Sequence, residues 1–282
     1  MKFIPDLEKL SIATARIKLF KKRIGFVPTM GALHVGHFSL INQARKENDI
    51  VVVSIFVNPA QFGQGEDFKK YPRSLKRDVE FCRKLGVDFL FLPHKNDMYP
   101  QGYSTFVNVD KLGDVLCGVR RPGHFRGVAT VVAKLLNIIH PDVLYLGQKD
   151  AQQAVVISRM IKDLNFPVKV KVMPTVRHKD GLALSSRNSY LSKNERAGAV
   201  ILFKALQLAE VLIGNGQRNS DRIISRMKQL IEKNKQAKID YIAIVDQEQL
   251  KEIKRIGPGC LIALAVKVGK TRLIDNMVID CV

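Results

Sequence analysis

The chain has 282 residues, 46% of them hydrophobic, and carries 46 Lys and Arg against 26 Asp and Glu for a formal net charge of +20. That length and apolar content allow a sizeable core in one large domain or two unequal ones. Cys82, Cys117, Cys260 and Cys281 lie far apart without a C-x-x-C pair, so their spacing suggests neither a disulfide frame nor a zinc site and ordinary thiols are expected.

No uninterrupted apolar segment is long enough to span a bilayer, and Met1 to Asp6 lacks the blocks of a signal peptide, so a cytoplasmic protein without a membrane partner is expected. The positive charge raises the question of a polyanion partner. Lys and Arg are scattered along stretches such as 161–165 and 223–238, without a basic tail or interleaved aromatics, so no specific nucleic acid is expected.

Apolar residues at Leu10, Ile12, Ala13, Ile17 and Phe20 predict a helix over Lys9 to Lys21. Ile24 to Val27 reads as a short buried strand, and the residues after Gly36 read as a helix with Leu40, Ile41 and Ala44 inward. Between them runs Pro28-Thr29-Met30-Gly31-Ala32-Leu33-His34-Val35-Gly36-His37, a turn with two glycines and two histidines three apart. Open amides and the positive end of a helix favour an anion there, and the phosphates of a nucleotide are the expected one. Two other readings stand beside it, a metal held by the histidines and a histidine that only caps the helix.

Ile50 to Val57 is nearly all apolar and β-branched, as in a parallel strand covered on both faces, and ends in a loop at Asn58 to Gly63. Ser74 is placed to cap a helix carrying Leu75, Val79, Cys82 and Leu85 and ending at Gly86, before a strand at Val87 to Leu92. Thr105 to Val109 is strand-like. Arg120 to Gly127 reads as a basic, glycine-punctuated loop before a helix at Val128 to Ile139; it is either exposed charge or a source of cations for an anionic cleft.

Asp142 to Leu146 reads as a strand closed by Gly147-Gln148-Lys149-Asp150, then a helix through Gln153, Val156, Met160 and Leu164. Asp150 and Gln153 fit a capping pattern, whereas Lys149 has no such structural task and suits a phosphate. Val168 to Val172 is a further strand. The domain boundary is expected near Pro174, giving 1–174 and 175–282.

Beyond it, Arg177 to Ala183 is a turn-rich link into Leu184-Ser185-Ser186-Arg187-Asn188, whose hydroxyls and guanidinium suit phosphate but equally a capping loop. Ser192 and Glu195 form a capping box for a helix over Arg196 to Ile213, with Val200, Phe203, Leu206, Leu208, Val211 and Leu212 apolar, stopped by Gly214-Asn215-Gly216. A helix at Asp221 to Lys235 and strands at Ile239 to Val245, Cys260 to Val268 and Met277 to Val282 complete a small α/β unit.

Taken together, Pro28 to His34 with Gly36-His37, Asn58-Pro59 with Gln61-Phe62, Tyr71-Pro72-Arg73, Arg121 to Phe125, Gly147 to Asp150 with Gln152-Gln153, and Gly181 to Ala183 with Ser185 to Asn188 resemble the bacterial pantothenate synthetases, or pantoate-beta-alanine ligases, along essentially the whole chain. The resemblance implies an α/β fold, with a Rossmann-like parallel sheet flanked by helices on both faces, of the His-x-Gly-His nucleotidylyl-transferase superfamily, plus a smaller C-terminal α/β lid. It implies a cytoplasmic homodimer that joins pantoate to beta-alanine with ATP and Mg2+, giving pantothenate, AMP and pyrophosphate.

Carried over by position, the likeness puts ATP on Met30, Gly31, Ala32, Leu33, His34, Val35, Gly36, His37, Gly147, Gln148, Lys149, Asp150, Val176, Leu184, Ser185, Ser186 and Arg187. Pantoate falls to Gln61 and Gln153, beta-alanine to Gln61, and catalysis to His34, His37, Lys149 and Arg187; no metal ligand is assigned. Leu146 and Leu184 depart from the aromatic and Met common at those places, and both keep an apolar side chain.

Overall fold

A computed structural model describes residues 1–280; Cys281 and Val282, the end of the last expected strand, lie outside the described residues. The strands are β1 (Lys2–Ile4), β2 (Ile24–Thr29), β3 (Ile50–Ile55), β4 (Phe89–Phe91), β5 (Val143–Gly147), β6 (Lys169–Met173), β7 (Ala237–Asp246), β8 (Cys260–Val268) and β9 (Thr271–Ile279). The helices are α1 (Leu7–Leu19), α2 (Val35–Glu47), α3 (Leu75–Lys84), α4 (Lys95–Met98), α5 (Cys117–Arg120), α6 (His124–Ile139), α7 (Ala151–Asp163), α8 (Lys193–Gly198), α9 (Ile201–Gly214) and α10 (Ser220–Glu232).

Six strands form a parallel sheet in the order β1-β4-β3-β2-β5-β6. The chain steps one way from β2 through β3 to β4 and the other way into β5 and β6, so right-handed crossovers put α2 and α3 on one face and α1, α6 and α7 on the other. The alternating β-branched side chains of β3 fill both layers: Val51 and Val53 join Leu40, Ile41, Ala44 and Cys82 on the α2/α3 side, while Val52 and Phe26 are buried on the opposite one. Between β2 and β5 the direction of winding reverses, and such a switch point is where open α/β sheets receive ligands at the carboxyl ends of the strands.

The chain divides into two compact units, Met1–Asp114 with Gly118–Gly147 and Val156–Pro174, and Val115–Cys117 with Gln148–Val155 and Thr175–Val282. In the second unit β7, β8 and β9 form an antiparallel sheet against which α9 and α10 bury Leu202, Leu206, Ile223 and Met227 on Ile242, Ile262 and Leu264. The span Lys193–Gly214 has the length and hydropathy of a membrane helix, but Glu195, Arg196, Lys204 and Glu210 interrupt it and its apolar side packs in this core.

Several expected elements are corrected. Thr105 to Val109 forms no strand, and the Val107 amide donates to Thr130 Oγ1 at 2.9 Å. The helix expected at Val128 begins at His124. Ser74 stands at the N-cap of α3 without a side-chain capping bond, and Leu75 is exposed while the buried Asp78 faces inward. The helix after Ser192 is two helices, capped as predicted at its start, and its inner face is Leu202, Ala205, Leu206, Ala209 and Ile213, leaving Val211 in solvent. β9 starts at Thr271, six residues before the expected Met277, and β1 is an element the sequence reading lacked.

Candidate active site

In the first unit β2 delivers the chain into a tight turn at its carboxyl end. Gly31 has φ +83° and a Cβ there would lie 2.9 Å from Ile55, while Ala32 follows with φ +50°, a left-handed conformation costly for a residue with a side chain. Asp78 holds this strain in place: its carboxylate accepts from the Ala32 and Leu33 amides, each at 2.8 Å. Burial pushes the Asp78 carboxyl up, and the two amide bonds pull the other way. The Gly31 amide donates to Thr29 Oγ1 at 3.2 Å. The amides of Gly31, Ala32 and Leu33 are therefore bonded within the protein itself.

The histidines are arranged differently from the backbone around them. His34 is the N-cap of α2 and its Nδ1 accepts from the Gly36 amide at 3.2 Å; His37 Nδ1 accepts from the His34 amide at 3.3 Å. An imidazole nitrogen that accepts carries no proton, so each neutral ring bears its N–H on Nε2. The ring centroids are 4.1 Å apart. One nitrogen of each ring thus closes the helix, and the other carries its N–H at the positive end of the α2 dipole.

Gln61 lies on the Pro59–Gln61 turn after β3 and is buried rather than the exposed loop amide its setting suggests. Its Oε1 accepts from Asn58 Nδ2 at 3.1 Å and its Nε2 donates to Met30 Sδ at 3.0 Å, which ties it to the histidine turn. A thioether is a weak acceptor, so a ligand oxygen readily replaces it. Asn58, 1% exposed, also donates to Gly127 O and accepts from Tyr99 OH at 2.8 Å.

Within the second unit the turn Gln148–Asp150 is held by Asn276 of β9, whose Nδ2 donates to the carbonyls of Gln148 and Lys149 at 2.9 and 3.0 Å. Lys149 Nζ is 3.3 Å from Asp150 Oδ1, so its ammonium has a carboxylate neighbour after all. Gln153 is half-buried near the start of α7; its neighbour Gln152 is structural, bonding the Cys117 amide and the Val115 carbonyl.

Val176 and Leu184 are brought together, the Leu184 amide donating to Val176 O at 3.0 Å across the link between them. That link is shaped by Arg177, which grips Asp275 with two bonds of 2.6 and 2.9 Å. Ser185 caps the following turn by accepting from the Arg187 amide at 3.3 Å, and Ser186 and Arg187 are half-buried beside it. Among the described residues no three His, Cys, Asp or Glu converge as metal ligands, and Asp78, beside the histidine turn, spends both oxygens on amides.

The sequence reading missed Asp78, Asn276, Asp275 and His124. The first three stand in stretches read only as helix or left outside a strand. His124 was visible in the Arg-Pro-Gly-His-Phe segment, where two flanking glycines suggested a loop. Arg121, weighed there as a cation for the cleft, is committed to Glu66 at 2.6 and 2.8 Å.

A doubly wound parallel sheet, with the helix after its first switch-point strand capped by His34 and His37, defines a Rossmann-like α/β protein. Residues 2–278 match the family described as Pantoate-beta-alanine ligase, and the chain belongs to it. It is 52% identical over 280 residues to the pantothenate synthetase of Heliobacterium modesticaldum, covering 99% of this chain and 100% of that one. The crystal structure of pantothenate synthetase from Thermus thermophilus superposes with a TM-score of 0.94 at 43% identity, over 98% of this chain and 99% of the other. A pantoate-beta-alanine ligase from Francisella tularensis, complexed with beta-gamma ATP and beta-alanine, gives a TM-score of 0.80 at 37% identity, over 99% and 97%.

Proposed function

We propose that this chain joins pantoate to beta-alanine using ATP, through a pantoyl adenylate, to give pantothenate, AMP and pyrophosphate. A carboxylate does not acylate an amine at neutral pH because oxide is too poor a leaving group. Attack of the pantoate carboxylate on the α-phosphorus, in line with departing pyrophosphate, converts it into a mixed anhydride. The amine of beta-alanine then attacks the acyl carbon and AMP leaves.

The first step brings two anions together and needs donors fixed before the reaction begins. The observation that carries the reading is the pair of Nε2–H donors of His34 and His37, linked through Met30 to the buried Gln61 amide. The histidines donate to phosphate oxygens as pyrophosphate leaves, Lys149 serves the α-phosphate, and Ser185, Ser186 and Arg187 serve the triphosphate. Met30 to Leu33, Val35, Gly36, Gly147, Gln148, Asp150, Val176 and Leu184 supply the remaining ATP contacts. Gln61 and Gln153 orient pantoate, with Gln61 also meeting beta-alanine.

Mg2+ belongs to this reading as part of the nucleotide, where it would offset phosphate charge; Asp78, near the turn, has both oxygens on amides. A cytoplasmic homodimer belongs to the same reading, with 1–174 binding nucleotide and pantoate and 175–282 acting as a lid. The test follows both products. With ATP and pantoate alone, a single turnover of pyrophosphate and little AMP are expected, and beta-alanine then releases AMP continuously. Full-rate turnover without the amine would instead mark a simple nucleotidylyl transferase.

A further inference from the structure

The Pro59–Gln61 turn has little secondary structure of its own, yet the backbone of Gln61 is held from outside by a chain of three side chains, His124 buried and Arg121 and Glu66 half-buried. Glu66 takes Arg121 with both oxygens, at 2.8 Å to Nε and 2.6 Å to Nη2. The other terminal nitrogen of Arg121, Nη1, is 2.9 Å from His124 Nε2, and His124 Nδ1 is 2.7 Å from the Gln61 carbonyl oxygen. A guanidinium only donates, so His124 Nε2 accepts and the ring proton sits on Nδ1, where it is given to Gln61. This neutral tautomer is the opposite of the one at His34 and His37.

His124 is 8% exposed and the Arg121 and Glu66 side chains 15% and 21%, which shields the chain from competing water. One turn further along α6, Gly127 makes a second contact. A Cβ at that position would lie 2.2 Å from Ala60 O and 2.6 Å from the Gln61 amide, so only glycine lets the helix approach this closely. The Gly127 carbonyl accepts from Asn58 Nδ2 at 3.0 Å. His124 and Gly127, three apart on one face of α6, therefore hold the turn together, the first by a bond to the Gln61 carbonyl and the second by letting the helix pack against the Ala60–Gln61 peptide.

Resting on the assignment of Gln61 to the hydroxy acid, we propose that the Glu66–Arg121–His124 chain is a positioning device. It fixes where the Gln61 side chain meets pantoate, and so sets affinity for that substrate rather than for ATP. His124 is a positioning residue here, acting through the Gln61 backbone.

Steady-state kinetics of the full chain test this, with each substrate varied in turn. His124→Ala is expected to raise the pantoate KM about tenfold, the scale of one buried hydrogen bond, with the ATP KM within about twofold. His124→Asn, whose Nδ2–H stands where Nδ1–H stood, is expected to recover most of that loss. Where His124→Ala folds poorly, Arg121→Lys replaces it: one ammonium cannot hold Glu66 and the imidazole in a planar fork, and a severalfold rise in pantoate KM is expected. An unchanged pantoate KM, a parallel rise in the ATP KM, or no rescue by Asn overturns the proposal. Gln61→Ala separates the two claims: if it raises the pantoate KM while the His124 variants do not, only the positioning role falls, and if it has no effect, both fall.

Discussion

His34 and His37 each spend Nδ1 on the first turn of α2, which makes their structural and chemical tasks separable by substitution. Asparagine is among the best N-cap residues, so His34→Asn keeps a side-chain acceptor for the helix and removes only the outer donor. Unfolding free energy is expected to stay within about 1 kcal/mol. Pyrophosphate release is expected to slow on the order of 100-fold, the usual effect of losing one preorganised donor. A near-normal rate in a stable variant would reduce the ring to a cap. The same residues mark how far a sequence can be read at this scale. His34, His37, Gln61 and Lys149 announce themselves by type and motif, whereas Asp78 lies 45 and 46 residues from the amides it holds, His124 lies 63 from Gln61, and Asn276 lies 127 and 128 from the turn it supports. Nothing local distinguishes such residues from ordinary surface or helix positions.

At the scale of elements, α2 is pinned at both ends. Its far end carries Glu47, which binds Lys171 of β6 and accepts from Tyr145 OH of β5 at 2.7 Å; Tyr145 in turn accepts from Asn48 Nδ2 at 2.7 Å. The Lys171 bond first, then those from Tyr145 and Gln43, hold the Glu47 carboxyl down at about 2. A folded value below the unfolded one means stability that is present above pH about 4.5 and lost as pH falls toward 2. Glu47→Gln is therefore expected to flatten the fall in the urea midpoint across that window, with its neutral-pH turnover per folded molecule unchanged. An equally steep fall in the variant would place the acid sensitivity elsewhere. Elements themselves were legible where burial is two-sided, as in β3 and β8, whose apolar runs admit one reading. Other boundaries depend on tertiary neighbours. Gly127 resembles a turn residue but serves a close approach inside α6, and Asp275 and Asn276 look like loop residues because their buried partners, Arg177 and the Gln148 turn, are distant in sequence.

For the whole molecule, the +20 charge is spread along the chain rather than gathered in one basic segment. The first unit holds the histidine turn and the buried Gln61, and the second holds Lys149 and the Ser185–Arg187 segment. The proposed reaction rests on activation of the acid at the α-phosphorus. The fate of oxygen tests that claim without reference to any one residue. With pantoate carrying heavy oxygen in its carboxylate, mass spectrometry of the products should find one labelled atom in the phosphate of AMP and none in pyrophosphate. Label in pyrophosphate or inorganic phosphate, or label retained wholly in pantothenate, would contradict an adenylate and with it the proposed chemistry.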